Sequence, residues 1–375
     1  MPSRCIGRSP STNDSAILCA SSSLVLCCCA TISGGQSMQV SSQARMAPHL
    51  PGADGSYGFK SVVTHDSDEH AAALDAWDQT YNQLSAGSFQ GALQQIWLNR
   101  IHLFRERTNR AVAQSGLPCK DHFVFGVPLA MSDTALFGNQ IVVPDSIFVF
   151  RATDGFSLRT PEFFDVVGIA VPEQDMLVAM GGRFEGAAEA LPGAPIVFLP
   201  PKPALAEFRG WLSSLFAPDG LQPLRLVDPM FRRALCETVV GQLASLLFDA
   251  VRVPLRSPSF PGRCRVVEQA VAFALSCGAE PVSVGELCAK AKVSRRLLNY
   301  CFQDVLNTNP VHYLKAVRLN GVRRELRRAE PGPGVIRDIA GRWGFWHFSR
   351  FAREYRSLFG ELPSETLSAN RIHPT

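Results

Sequence analysis

Residues 294–310 read SRRLLNYCFQDVLNTNP, and residues 347–363 read HFSRFAREYRSLFGELP. Both stretches place apolar side chains three and four positions apart, which is typical of one face of an α-helix. Five matches at a single shift of 53 residues indicate an internal repeat of helical units, and this repeat decides the fold of the carboxyl-terminal part. The shift superposes Leu298, Phe302, Val305, Leu306 and Pro310 on Phe351, Tyr355, Leu358, Phe359 and Pro363.

Each copy of the repeat is preceded by a short helix, which makes the unit a helix-turn-helix. In the first copy, a capping box begins one helix at Ser283, and Ser294 can cap the next. Asn309 caps a longer helix that runs to about Arg328 and leads to the second copy. We therefore predict an all-α domain over residues 263–375 with two helix-turn-helix units. On the second helix, the predicted inward positions are Leu297, Leu298, Cys301, Phe302 and Val305.

The outward side of the second helix in each unit is predicted to read DNA bases. Such a helix fits the major groove, and a second one can reach the next groove about 34 Å along the duplex. Arginine can bind guanine through two hydrogen bonds and asparagine can bind adenine likewise, each worth roughly 1–3 kcal/mol of discrimination. The predicted readers are Arg296, Asn299, Tyr300 and Gln303 on the first unit and Ser349, Arg350 and Arg353 on the second.

A further set of arginines is predicted to contact DNA phosphates, which position a protein on the duplex without reading its sequence. The alternative is a solvated helix face on which arginines pair with nearby carboxylates, as Glu325 and Arg328 could do. For residues 323–328 both interpretations stay open. The predicted phosphate contacts are Arg295, Arg318, Arg323, Arg324 and Arg356.

Positive charge is concentrated in the same part of the chain. Residues 263–375 carry 18 Lys and Arg against 10 Asp and Glu, which gives +8. Residues 1–262 carry 19 against 23, which gives −4, so the whole chain has a formal net charge of +4. This asymmetry indicates that the carboxyl-terminal part meets a polyanion, and double-stranded DNA is the predicted partner.

The chain before this domain is predicted to begin with two segments of different character. Residues 1–45 are predicted to be a disordered extension or a mis-assigned start, because Met46 offers a later start. Residues 46–201 contain β-branched and aromatic runs separated by turn residues, and a helix is predicted over residues 69–85. These β-branched and aromatic runs indicate a β-rich sandwich, or a cupin-like or open barrel. Because such folds commonly hold a small ligand, this is the predicted effector-sensing domain.

Residues 202–253 change to a helical period, with an apolar stripe along two amphipathic helices. The stripe is a candidate homodimer surface, and packing within the chain is the alternative. Three prolines mark residues 254–262 as a linker. The predicted fold class is α+β multidomain, with a β-rich sensor domain, a helical dimerisation segment and an all-α domain of two helix-turn-helix units. The stripe consists of Leu205, Phe208, Leu212, Leu215, Leu235, Val239, Val240, Leu243, Leu246 and Leu247.

Composition and motifs argue against an enzyme. The chain has 11 Cys without a Cys-x-x-Cys pair, which disfavours a zinc ribbon and favours a reducing cytoplasm. No nucleophile elbow or phosphate-binding loop motif occurs in the sequence, so we predict neither catalytic nor metal-binding residues. Residues 65–70, HDSDEH, are interpreted as solvated surface. Six aromatic residues line either an effector pocket or an ordinary core, namely Trp77, Tyr81, Phe123, Phe125, Phe148 and Phe150.

Residues 344–367, GFWHFSRFAREYRSLFGELPSETL, resemble the second helix-turn-helix of the AraC/XylS family of bacterial transcription regulators. The resemblance extends through residues 293–297 and 318–326. The amino-terminal half also resembles one branch of that family, the ethanolamine-utilisation regulators. This second resemblance rests on residues 76–84, 103–106 and 121–128.

The resemblance implies a cytoplasmic, dimeric regulator that binds DNA, meets RNA polymerase and not a membrane, and activates a catabolic operon. In the ethanolamine branch, the implied effectors are ethanolamine and adenosylcobalamin, and no other cofactor is suggested. Three alternatives stay open. They are a regulator of the same family that answers another small molecule, a β-barrel metal-dependent enzyme fused to a DNA-binding domain, and an architectural DNA-binding protein without an effector.

Overall fold

The computed structural model describes residues 57–181, 196–248, 250–252 and 259–369. The predicted extension over residues 1–45 lies outside these ranges, as does most of the predicted linker. Two antiparallel β-sheets occupy the amino-terminal half, and helices form the remainder. None of the helices described there combines the length and apolar character needed to cross a bilayer.

The larger sheet has eight strands, and the predicted apolar runs form its centre. Residues 122–127 lie in β6 and residues 165–171 in β11, two strands that pair along their whole shared length. In spatial order the strands are β1 (Tyr57–Thr64), β3 (Gly91–Leu98), β4 (Ile101–Thr108), β11 (Phe164–Pro172), β6 (His122–Met131), β9 (Ile147–Arg151), β12 (Ile196–Leu199) and β13 (Val251–Arg252).

The smaller sheet has five strands and covers one face of the larger one. The two sheets do not close into a barrel, which agrees with the predicted β-rich sandwich or open barrel. In spatial order its strands are β2 (Asp78–Gln83), β5 (Val112–Leu117), β10 (Phe156–Arg159), β7 (Ala135–Phe137) and β8 (Gln140–Val142).

The helix predicted over residues 69–85 is wrong in extent. Helix α1 spans only Ser67–Ala73, and residues 78–83 form strand β2 instead. Ala76 adopts a left-handed conformation with φ +65°, which turns the chain before β2. Pairing with β5 over residues 112–117 then holds β2 extended. Pairing with β5 at the edge of the sheet therefore overrides the helical spacing of the apolar residues in this segment.

Both faces of the large sheet are buried at its centre, which explains why the central strands are almost continuously apolar. Successive side chains on a strand point to opposite faces. Phe125, Val149 and Ile169 therefore lie in one apolar cluster with the helices, whereas Phe148 and Val166 lie in another, between the sheets. The sandwich accordingly has two cores, one on each side of a single sheet.

The helices of residues 202–253 supply the layer that covers the outer face. After α2 (Glu173–Ala179), α3 spans Lys202–Leu215 and α4 spans Pro229–Phe248. Nine of the ten stripe residues predicted as a dimer surface are buried against the sheet, and Leu215 is partly buried there. Packing within the chain therefore accounts for this stripe.

The carboxyl-terminal helices match the predicted order. Ser283 and Glu286 make the predicted capping box, and the side chains of Ser294 and Asn309 accept hydrogen bonds from the amides of Leu297 and His312. The first helix begins at Phe260, inside the stretch predicted to be linker. In chain order these helices are α5 (Phe260–Ser276), α6 (Val284–Ala291), α7 (Arg295–Leu306), α8 (Pro310–Arg328), α9 (Val335–Arg342), α10 (Phe348–Phe359) and α11 (Pro363–Ala369).

Candidate nucleic-acid interface

The first helix-turn-helix consists of α6 and α7. Lys292 ends α6 in a left-handed conformation, and Ser294 starts α7 two residues later. Leu298, Phe302 and Val305 anchor α7 in an apolar core that it shares with α5 and α8. Because these residues lie on one side of the helix, its other side is left for solvent or a partner.

The second helix-turn-helix consists of α9 and α10, and it packs on the long helix α8. Gly344 takes φ +78° at the turn between the two helices, a conformation that favours glycine. Trp343 lies against Gly321 of α8 so closely that a Cβ atom there would collide with the indole. The indole Nε1 also donates to Glu325 Oε1 over 2.8 Å. The helix α8 is thus a shared support for both units.

All nine residues predicted to contact DNA on α7 and α10 are exposed. Three of them already have partners within the chain, and one of these is Tyr300, whose ring lies under the Arg263 guanidinium at 5.7 Å. Gln303 donates to Asn307 over 2.9 Å, and Arg350 pairs with Glu354 over 3.2 Å. Their role in DNA contact stays a prediction, and the exposed residues are Arg295, Arg296, Asn299, Tyr300, Gln303, Ser349, Arg350, Arg353 and Arg356.

Some exposed apolar residues of these units escaped the sequence prediction. Leu297 was predicted to point inward but is 42% exposed, because Leu298 and Cys301 already fill the core side of α7. Trp346, in the turn before α10, is 71% exposed. The exposure of Trp346 could have been predicted from its position shortly after Gly344. The chain is not helical there, so no helix packing holds this side chain against the core.

The arginines of α8 are the main correction to the predicted phosphate contacts. Arg323 is 6% exposed, and its Nε donates to Asp66 Oδ2 over 2.6 Å while its Nη1 lies 2.9 Å from Glu361 Oε1. Arg324 pairs with Asp68 over 2.7 Å and also donates to the carbonyl oxygen of Tyr81. These arginines bind the sandwich and are not free for DNA.

The remaining charged residues of α8 differ in their surroundings. Arg318 is partly buried, and burial lowers its pKa. Glu325 pairs with Arg342 over 2.5 Å, and not with Arg328 as the alternative interpretation suggested. Arg328 is exposed, and within the described residues it makes no ion pair. Two arginines one helical turn apart therefore have different surroundings, since Arg324 pairs with the sandwich and Arg328 is exposed.

Asp66 is the centre of the contact between the sandwich and α8. It is 2% exposed, it accepts hydrogen bonds from the amides of Asp68 and Glu69, and it pairs with Arg323 and Arg327. Burial by itself would raise the pKa of Asp66, but the two arginines and the amide of Glu69 outweigh it and lower the pKa. The prediction of solvated surface for residues 65–70 is therefore wrong for Asp66 and Asp68, which contact α8. His65 and Glu69 are exposed as predicted.

A second set of contacts continues this interface through amide side chains. Asn320 Oδ1 accepts from the amide of Gln83 over 3.0 Å, and Asn320 Nδ2 donates to the carbonyl oxygen of Gln83 over 2.9 Å. The side chain of Gln83 donates to the carbonyl oxygen of Leu358 on α10 over 2.6 Å. The amide of Gly87 donates to the same carbonyl over 3.0 Å. Strand β2 therefore holds both α8 and the second unit.

The interior of the sandwich offers little space for an effector. A cavity of about 30 Å³ lies between the sheets, lined by Trp77, Tyr81, Phe148 and Phe150 among others. This volume suits one or two water molecules. Phe123 and Phe125 belong to the core on the helix side, and Phe125 also borders this cavity. Among the described residues, no group of His, Cys, Asp and Glu could hold a metal ion.

Comparison with known proteins identifies the carboxyl-terminal domain. Residues 287–369 match the model of a family described as a helix-turn-helix domain. This range contains α7 to α11, with most of α6. Residues 287–369 are thus similar to a helix-turn-helix domain, which agrees with the two units predicted from the repeat.

Two curated relatives are similar to part of the chain. One stretch of 110 residues is 39% identical to the probable thc operon regulatory protein of Rhodococcus erythropolis, and it covers 29% of this chain and 32% of that protein. Another of 91 residues is 37% identical to the XylDLEGF operon transcriptional activator 2 of Pseudomonas putida, covering 24% of this chain and 58% of that protein. The chain therefore matches less than two thirds of the length of either relative.

The solved structures that resemble this chain superpose on it with low TM-scores. The AraC-like transcriptional activator CuxR is 13% identical with a TM-score of 0.38, over 69% of this chain and 94% of that one. A transcriptional regulator of Chromobacterium violaceum with an AraC-type DNA-binding domain is 30% identical with a TM-score of 0.27. That match covers 30% of this chain and 98% of the other.

Proposed function

We propose that this protein is a transcription activator that reads a long, asymmetric DNA site with α7 in one major groove and α10 in the next. The observation that carries the proposal is the exposure of Arg296 on α7 and Arg353 on α10, two helices that correspond in the 53-residue repeat. The repeat aligns Arg296 with Ser349 and Arg353 with Tyr300, and all four residues are exposed. Arginine at such positions is suited to bidentate recognition of guanine. The names of the relatives support operon regulation and activation.

The same proposal includes the compartment, the protein partners and the effector. The protein acts in the cytoplasm, contacts RNA polymerase from its DNA site, and works as a homodimer. A small molecule shifts the population between arrangements of the sandwich and the DNA-binding domain, which already touch through Asp66 and Arg323. The target is a catabolic operon.

Ethanolamine with adenosylcobalamin is the first effector pair to test. Its support is the resemblance of residues 76–84, 103–106 and 121–128 to the ethanolamine-utilisation regulators. The first of these stretches contains Gln83, which hydrogen-bonds to Asn320 and Leu358 of the DNA-binding domain. An effector acting through this stretch would therefore reach α8 and the second helix-turn-helix unit.

The test is to sequence the DNA that the purified full-length chain retains from a random pool, with and without ethanolamine and adenosylcobalamin. We expect a site with two conserved blocks whose centres lie about one helical turn apart. Retention of DNA without any sequence preference would contradict the proposal. If ethanolamine and adenosylcobalamin leave both the retained sequences and the affinity unchanged, the ethanolamine part alone is wrong.

A further inference from the structure

The second helix-turn-helix unit has five Trp and Phe residues between positions 343 and 351, and they divide into an inward and an outward group. Trp343, Phe345 and Phe351 belong to the apolar core that the unit shares with α8. Trp346 and Phe348 lie outside this core and are 71% and 41% exposed. Single exposed apolar residues are ordinary, but exposed apolar side chains grouped at one place mark an interaction site.

The fold holds the outward pair in place. Phe345 packs on Phe351 with ring centroids 5.2 Å apart, which fixes the chain on either side of the pair. The indole of Trp346 lies 3.6 Å from the point that a Cβ atom on Gly341 of α9 would occupy. Within the described residues, neither Trp346 nor Phe348 stacks on another aromatic ring or lies under a cation. One side of the indole is thus held against α9, and most of the pair is open.

The pair lies at the amino-terminal end of α10. Phe348 is the first residue of this helix, and Trp346 precedes it by two positions. In a helix-turn-helix, the amino-terminal residues of the second helix are the ones that contact base edges. The predicted readers Ser349, Arg350 and Arg353 follow on the same helix. With α10 in the major groove, the aromatic pair therefore lies next to base edges.

The charge around the pair favours DNA over an apolar protein surface. Residues 335–359 carry five Arg against one Asp and one Glu, which gives +3. Glu354 is partly buried and pairs with Lys315 over 3.1 Å and with Arg350 over 3.2 Å. The other carboxylate, that of Asp338, is exposed on α9. An apolar pair within a positive surface suits a polyanion that also presents apolar groups.

Thymine supplies the matching apolar group. Among the base edges in the major groove, the C5 methyl of thymine is the apolar feature, and the other features are hydrogen-bond donors and acceptors. Phenylalanine is one of the side chains that contact this methyl in protein complexes with DNA. Removing one methyl group from water improves affinity about fourfold. A pair of exposed aromatic rings at a base edge therefore favours thymine.

We propose that Trp346 and Phe348 bind thymine methyl groups in the half of the DNA site that the second unit reads. The inference deepens the proposed function, on which it rests, by naming the base type that this end of α10 recognises. Phe348 and Arg353 are separated by about 7.5 Å along the helix axis at 1.5 Å per residue. At about 3.4 Å per base pair, the thymines lie roughly two base pairs from the base pair that Arg353 reads.

The test uses the full chain and the DNA site that it selects. Each thymine of the site is replaced in turn by deoxyuridine, which pairs in the same way and lacks only the C5 methyl. We expect the parent chain to lose affinity about fourfold at one or two thymines. These thymines should lie roughly two base pairs from the position that Arg353→Ala relaxes.

Two variants show whether the aromatic pair is the group that senses the methyl. Trp346→Ala and Phe348→Ala should each bind the thymine site and the deoxyuridine site alike at one of these positions. The matched control is Phe163→Ala in the sandwich, where the side chain is 43% exposed, and it should keep the difference of about fourfold. All three side chains are exposed, so the melting temperatures should stay close to that of the parent chain. The deoxyuridine series on the parent chain needs no variant and tests the inference by itself.

The inference is overturned if no deoxyuridine substitution lowers the affinity of the parent chain. It is also overturned if both variants keep the dependence on the methyl group. Lower transcription of a reporter with an unchanged dependence on the methyl would assign the pair to a protein partner and refute thymine contact. Two conserved blocks in the selected DNA without any methyl effect overturn this inference alone. Retained DNA without sequence preference overturns the proposed function, and this inference with it.

Discussion

Two sets of arginines in the carboxyl-terminal domain have the same chemistry and opposite surroundings. Arg323 and Arg324 on α8 are directed into carboxylates of the sandwich, whereas Arg296 on α7 and Arg353 on α10 are exposed. The first set is suited to hold two domains together, and the second is suited to meet a partner outside the chain. The comparison teaches that positive charge on a DNA-binding domain has to be assigned residue by residue.

The largest expected effect is on folding stability. Arg323→Ala leaves Asp66 buried with less compensation, and removing one partner of a buried ion pair typically costs about 3–5 kcal/mol. We expect a clear fall in the free energy of unfolding, measured by denaturant titration. Arg328→Ala, on the exposed side of the same helix, is the control and should be close to neutral. Equal stability of the two variants would abolish the distinction between the two sets.

Acid should remove part of the same stability. The pKa of Asp66 is lowered in the folded chain, so the folded state favours its charged form more than the unfolded state does. The contribution is therefore present above the ordinary pKa near 3.8 and is lost as the pH falls through the lowered value. Asp66→Asn keeps the cap of α1, because asparagine also caps helices well. Its unfolding free energy should depend less on pH below about pH 4.

A pH dependence in the Asp66→Asn variant equal to that of the parent chain would show that other groups carry the acid sensitivity.

The exposed set should affect sequence discrimination and leave stability unchanged. Arg296→Ala and Arg353→Ala should each reduce the preference for one base pair by roughly 1–3 kcal/mol, because a bidentate contact with guanine is lost. Competition binding with single-base variants of the selected site measures this preference. A uniform loss of affinity on every sequence would instead make these two residues phosphate contacts.

The smallest effect is expected at Arg356, which is exposed near the end of α10 and is predicted to contact phosphate. Arg356→Ala should weaken binding to all sequences alike and reduce the slope of log affinity against log salt by about one. Binding isotherms at several salt concentrations provide the slope. An unchanged slope would remove Arg356 from the interface.

The sequence predicted the helical repeat well because its signals are local. The caps at Ser283, Ser294 and Asn309 and the spacing of Leu298 and Phe302 depend on neighbours within one or two turns. Those features form the same way whatever the rest of the chain does. The structure confirms them.

The predictions that failed depend on partners distant in the sequence. Asp66 and Arg323 are 257 positions apart, and no local pattern shows that the carboxylate and guanidinium meet. The strand character of residues 78–83 likewise comes from pairing with β5, which tertiary context decides.

The most direct test of the two-unit account is DNA selection with Arg296→Ala and Arg353→Ala in parallel. The account predicts that each variant relaxes the sequence at one position, and that the two positions lie about 10 base pairs apart, one helical turn. Relaxation of the same position by both variants, or of no position by either, would contradict it.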